Sequence, residues 1–137
     1  MSEKKRNCLV SACLLGLCTR YDGQVKEQVV QLSQFEEYNL IPICPEQLGG
    51  LPTPRPAADV TGGDGDDVLQ GNAKVISKDG EDFTPQFIQG AQQVLQIART
   101  FECTAAILKA RSPSCAVNGI QGVTAALLGK HNLTLIE

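Results

Sequence analysis

Four short apolar runs constrain what this chain can become. Residues 8–12 (CLVSA), 40–43 (LIPI), 105–108 (AAIL) and 133–136 (LTLI) are strand-length pieces spread along 137 residues. The first has no clean apolar–polar alternation, which suits a strand buried on both faces, as in a parallel sheet. Pro42 limits the pairing of the second run. Between the runs lie helical patterns. Residues 26–38 carry Val29, Val30, Leu32 and Phe35 among glutamates and predict a helix. Residues 84–100 predict the clearest one, with Thr84 as capping residue, Pro85 at the first helical position and an apolar stripe of Phe87, Ala91, Val94, Leu95 and Ala98. Residues 122–128 predict a third helix, and residues 73–77 a small extra strand. Residues 44–59 form a loop rich in Pro and Gly, and residues 59–67 a polar turn region. Strand alternating with helix is the α/β pattern. The expected fold is a single-domain, Rossmann-like three-layer arrangement with a mainly parallel central sheet, spanning residues 1–137.

The length is that of one ordinary domain with room for its own core. Hydrophobic residues are 42 % and charged residues 20 %, a globular balance. The net charge of −3 and the lack of a basic face argue against tight binding of nucleic acid by this domain alone. With no Trp and 4 % aromatics, base-stacking platforms are not expected either. No apolar stretch is long enough to span a bilayer. Lys4, Lys5 and Arg6 precede an apolar segment, but only residues 7–12 lie before Cys13, too few for the apolar core of a secretion signal. A cytoplasmic, reducing setting is therefore expected, in which six cysteines remain thiols and point to metal or chemistry rather than disulfides.

In a parallel sheet, ligands sit beyond the carboxyl ends of the strands. Cys13 follows the first run, Cys44-Pro45-Glu46 the second, and Arg111-Ser112-Pro113-Ser114-Cys115 the third. The fold thus predicts three cysteines at one sheet edge. Three thiolates without a fourth suit a metal or cluster with an open position. An iron left free there is a Lewis acid for a soft ligand such as sulfur. Zinc competes, and so does the plain alternative that all six cysteines are small buried hydrophobes. None stands in a CxxC pair.

SACLLGLCTRYDG, ICPEQLGGLPTPRPAADV, ISKDGEDFT and KARSPSC, followed by GVTAALL, resemble the thiouracil desulfidase family over nearly the whole chain. The resemblance implies a [4Fe-4S] cluster held by three cysteines, which match Cys13, Cys44 and Cys115. It implies Glu46 as the acid/base glutamate and Ser112 as the active-site serine. The reaction implied is non-redox desulfuration of a small thiolated pyrimidine, 2-thiouracil or 4-thiouracil, to uracil and sulfide. One departure stands out: only residues 116–121 separate SPSC from GVTAALL, where the family carries a longer segment. A non-catalytic iron–sulfur or metal-binding module, as a sensor or sulfur-handling protein, is the second reading, and a zinc-dependent hydrolase the third.

Other residues receive smaller roles. Cys18 could replace Cys13 as a ligand, though Cys13 lies nearer the strand end; Cys8 and Cys103 are expected to pack. Arg20, Tyr21 and Asp22 either line a pocket or close a turn. Arg55, between two prolines, either meets an anion or a carboxylate or stands on a stiff surface loop, and the surface loop is the expectation. The acidic run 64–67 lacks EF-hand spacing, and Gly62–Gly65 lacks the lysine of a phosphate loop. His131, the lone histidine, is expected at a helix end.

Overall fold

The computed structural model describes residues 5–26 and 31–137. Strands β1 (Arg6–Ser11), β2 (Tyr38–Ile43), β5 (Ala105–Ile107) and β6 (Thr134–Ile136) form one sheet in the order β2-β1-β5-β6. Every pairing in it is parallel. Cys8 faces Leu40 on one side and Ala105 on the other, and Ala106 faces Leu135. β1 is central, and its Cys8, Leu9 and Val10 are fully buried. That is the burial its unalternating sequence requires.

Successive residues of these strands point to opposite faces. Leu9 and Ala106 pack with Val94, Leu95, Ala98, Ala125 and Leu128 of α3 (Thr84–Thr100) and α4 (Val123–Lys130). Cys8, Val10, Ala105 and Ile107 pack on the other face with Leu14, Phe35 and Leu40. Among the described residues that second layer consists of 3₁₀ turns, Ala12–Leu15 and Leu32–Phe35, rather than an α-helix. The helix expected over residues 26–38 is corrected accordingly. Residues 27–30 lie outside the described residues, and Tyr38 is claimed by β2 through its pairing with Arg6, leaving only one 3₁₀ turn's length.

A β-hairpin stands beside this sheet. β3 (Ala58–Thr61) pairs antiparallel with β4 (Lys74–Ser77), and the short helix α2 (Gly65–Leu69) lies between them. The polar region at 59–67 therefore holds a strand end and a helix start. Its acidic residues do local work: Asp64 Oδ1 accepts the Asp67 N–H at 3.0 Å and Asp67 Oδ2 accepts the Asp64 N–H at 2.9 Å, a reciprocal capping box. Val68, Val75, Phe83, Phe87, Ala91 and Val123 join the hairpin, α2 and α3 in a second core.

α3 buries the whole expected stripe, from Phe87 to Ala98. Thr84 is not its cap. The hydroxyl accepts the Val75 N–H at 2.9 Å, tying the helix to β4, while Asp82 Oδ1 accepts the Thr84 N–H.

The four-residue helix α1 (Pro45–Leu48) crosses α3 backbone to backbone. A Cβ added to Gly49 would fall on the Gln86 carbonyl, and one added to Gly90 on the Pro45 carbonyl. Gly50, at φ +98°, then turns the chain in the left-handed region that glycine tolerates. The strand order reverses about β1, with β2 on one side and β5 and β6 on the other. Such a reversal opens a crevice at the strand ends.

Candidate active site

A cleft of about 270 Å³ opens at those carboxyl ends. Cys13, Cys44, Glu46, Ser112, Ser114 and Cys115 all contribute to its walls. Cys13 sits in the 3₁₀ turn just past β1, and Cys44 directly follows β2. Cys115 lies on the loop after β5 and is buried. Cys18 is exposed on the rim loop, its thiol 3.5 Å from the Gly23 carbonyl, and is not part of the cleft wall. Cys8 and Cys103 are buried in the core as expected.

The loop carrying Cys115 is fixed from within and from behind. Ser112 Oγ accepts the N–H groups of Ser114 at 3.2 Å and Cys115 at 3.1 Å. The N-terminus of α4 takes its carbonyls: Val123 N–H donates to Pro113 O, and Thr124 and Ala125 N–H donate to Ser114 O. Gly122 allows that approach, since a Cβ there would collide with the Ser114–Cys115 backbone. The short segment after Cys115 is pinned as well, by Glu137, whose carboxylate accepts the Val117 N–H at 2.8 Å and the Asn118 N–H at 3.1 Å.

Glu46 stands in the first turn of α1, with its side chain 13 % exposed. Arg55 Nε donates to its Oε1 at 2.9 Å and Ser114 Oγ to its Oε2 at 2.9 Å. Ser114 Oγ is also 3.0 Å from Ser112 Oγ and 3.6 Å from Cys115 Sγ. Because Ser112 Oγ already accepts two N–H bonds, its own proton is free to go to Ser114, which donates onward to Glu46.

Arg55 is the clear departure from expectation. Its side chain is 3 % exposed rather than on a surface loop, because Glu46 and three backbone or hydroxyl oxygens satisfy it. A lone Arg between prolines, a few residues past a glutamate, was the available signal. Ser114 was also missed, since SPSC offers two serines and sequence alone does not say which one turns inward.

Arg20 and Tyr21 line the cleft, and Arg20 also closes a turn with Asp22 at 3.0 Å. That hydrogen bond, with a second from Gln24 N–H, draws the Asp22 carboxyl down to about 2.

The donor set suits a multi-iron group. Burial pushes the Cys115 thiol up to about 11 and also raises Cys13. At Cys13 the nearby Lys109 and Arg20 work against burial while Cys44 adds to it, and at Cys115 hydrogen bonds from Ser11 and Ser114 work against burial. The sulfurs line a cleft rather than meeting at a point. Among the described residues no three Cys, His, Asp or Glu side chains converge as a single ion requires. Cysteines spread in this way fit a cluster in which each binds its own iron.

The chain was compared with known proteins. The model of the 2-thiouracil desulfurase family matches residues 8–137. The uncharacterized protein YbbK of Bacillus subtilis (strain 168) is 42 % identical over 143 residues, covering 94 % of this chain and 93 % of YbbK. An alignment longer than the 137-residue chain means that YbbK carries residues this chain lacks. Among solved structures, the [4Fe-4S]-dependent thiouracil desulfidase TudS superposes with a TM-score of 0.78 at 34 % identity, over 96 % of this chain and 90 % of that one.

Proposed function

This chain belongs to the 2-thiouracil desulfurase family, and on that premise we propose that it is a cytoplasmic enzyme converting a thiolated pyrimidine, 2-thiouracil or 4-thiouracil, and water to uracil and sulfide. The observation that carries the reading is the convergence of three thiols with Glu46 and two serines on one cleft. Cys13, Cys44 and Cys115 hold a [4Fe-4S] cluster. When bound, it supplies an iron with a free position, a soft Lewis acid for the thiocarbonyl sulfur.

The protein's own groups manage the protons. The incoming water gives up both protons as its oxygen becomes the carbonyl; one goes to solvent and one leaves with the sulfur as HS−, with no change of redox state. Glu46 takes and returns that proton at Oε2, the oxygen on which Ser114 Oγ–H rests. Ser112 stands at the more open end of the hydroxyl pair; with both lone pairs engaged by backbone N–H groups, it would bond the base or the water by turning its one proton away from Ser114. Lys109 and Arg111, also on the cleft wall, add positive charge beside the developing anion.

The test is anaerobic reconstitution, followed by iron, labile-sulfide and sulfide-release assays with each thiouracil. About four irons and four sulfides per chain, with catalytic sulfide release, support the proposal. A cluster without turnover would instead support the non-catalytic module, which the short 116–121 segment favours. No cluster under reducing conditions overturns the iron–sulfur reading altogether.

A further inference from the structure

Arg55 reaches further than one ion pair. Its backbone N–H donates to Tyr21 O at 2.7 Å, and its side chain makes four more bonds. Nε donates to Glu46 Oε1 at 2.9 Å, Nη1 to Pro52 O at 3.1 Å and to Thr53 Oγ1 at 2.9 Å, and Nη2 to Thr19 O at 2.8 Å. The Thr19 carbonyl also accepts from the Cys44 thiol, with Sγ at 3.8 Å. One planar group therefore joins the loop after β1, the helix after β2 and the Pro-rich loop that follows that helix.

We infer that Arg55 is the positioning residue of this site, holding the Glu46 carboxylate and the Thr19 carbonyl beside Cys44 in one fixed geometry. The inference rests on the reading of Glu46 as the proton-handling group. Three physical points support it. A buried Arg–Glu pair is costly to desolvate and is a poor device for stability alone. The guanidinium fork is rigid, so seating Nε on Glu46 dictates where Nη2 lies; a lysine ammonium has no such plane and cannot serve all four acceptors. Thr19 O takes Nη2 at 2.8 Å and lies 3.8 Å from Cys44 Sγ, so the same fork also reaches the backbone beside Cys44.

The test pairs Arg55→Lys with Glu46→Gln. In the reconstituted protein, Arg55→Lys is expected to keep wild-type iron and labile sulfide, lower kcat by roughly thirtyfold or more and leave KM within about threefold. In the Glu46→Gln background it should cost almost nothing further, because there is no longer a carboxylate to orient. Unchanged kcat, additive losses in the double variant, or loss of iron would each overturn the inference.

A second readout does not depend on turnover. In the metal-free chain labelled with ¹³C-glutamate, the infrared carboxylate band that Glu46→Gln removes should shift in Arg55→Lys. An unmoved band overturns the clamp. If Arg55→Lys does not fold, ¹⁵N NMR of the wild-type chain decides. An Arg55 Nε–H protected from exchange and displaced by Glu46→Gln supports the clamp, and one exchanging like a surface arginine overturns it. Wild-type protein that releases no sulfide would overturn the proposed function, while the infrared and NMR readings would still judge the clamp.

Discussion

Ser114 Oγ donates to Glu46 Oε2 at 2.9 Å across 68 positions of sequence. The serine is 1 % exposed and the glutamate side chain 13 %, so the bond forms largely away from bulk water. It joins the loop after β5 to the helix after β2, and it separates the roles of the two serines.

Ser114→Ala should lower kcat roughly tenfold to a hundredfold while iron content stays at the wild-type level, since a hydrogen bond to a charged group is worth about 1.5–3 kcal/mol. Ser112→Ala should lower the iron content instead, because Ser112 Oγ holds the N–H groups of Ser114 and Cys115. Iron per chain measured beside kcat separates the two. Iron loss in Ser114→Ala would show that its 3.6 Å contact with Cys115 Sγ matters more than its bond to Glu46.

Gly90→Ala should be among the most damaging single substitutions far from the cleft. Its new methyl meets the Pro45 carbonyl, forcing α1 off α3 and displacing Cys44 and Glu46 with it. The overpacking cost is about 3 kcal/mol. Urea denaturation should record it, together with reduced cluster retention. Gly71→Ala is the comparison for crowding, since nothing lies near its added Cβ and only its φ of +83° opposes the change.

Alkaline pH should loosen the fold through Cys8. Burial, aided by neighbouring Cys103, raises that thiol from 9.0 to about 11. Below pH 9 both folded and unfolded chains keep the proton, and the stabilising contribution is intact. Between pH 9 and 11 the unfolded chain releases a proton that the folded chain retains, so stability falls as pH rises, by roughly 3 kcal/mol across the window. Urea midpoints at stepped pH should show the decline, and Cys8→Ala should flatten it. An equally steep decline in that variant would assign the effect to other thiols.

Calcium should leave the acidic run untouched. Asp64 and Asp67 spend their carboxylates capping α2, and Asp66 pairs with Lys130 and accepts from Gln70. Millimolar calcium is expected to leave the melting temperature unchanged. Asp64→Ala should lower stability by about 1 kcal/mol, a few degrees in thermal unfolding, without altering kcat.

The centre of the sheet was legible because β1 and β5 are buried on both faces, and such burial leaves a direct compositional mark at Cys8–Val10 and Ala105–Leu108. The stripe of α3 was equally plain from its spacing. The cleft's cysteines followed from the topology, which brings the strand ends together whatever lies between them. What stayed hidden depends on partners distant in sequence. Pro54-Arg55-Pro56 offers an arginine to some carboxylate but does not say that Glu46 and Thr19 O are its partners. Nothing in SPSC says that Ser114 turns inward while Ser112 binds its own loop. The segment over residues 31–38 misled because Phe35 covers the sheet from a 3₁₀ turn while Leu32 stays exposed, and a pattern of hydrophobes does not reveal how tightly the backbone is wound.

The meeting of Gly49 and Gly90 also limits how the protein can change. Elsewhere in the core a substitution can be absorbed when neighbouring side chains shift rotamer. Between α1 and α3 there is only peptide against peptide, so an inserted or deleted residue anywhere in 44–50 would rotate Glu46 out of reach of both Arg55 and Ser114. Gains and losses of length are better borne at 117–120, where Val117 and Asn118 are held by Glu137 alone. Such changes leave the spacing from Cys44 to Glu46 as it is.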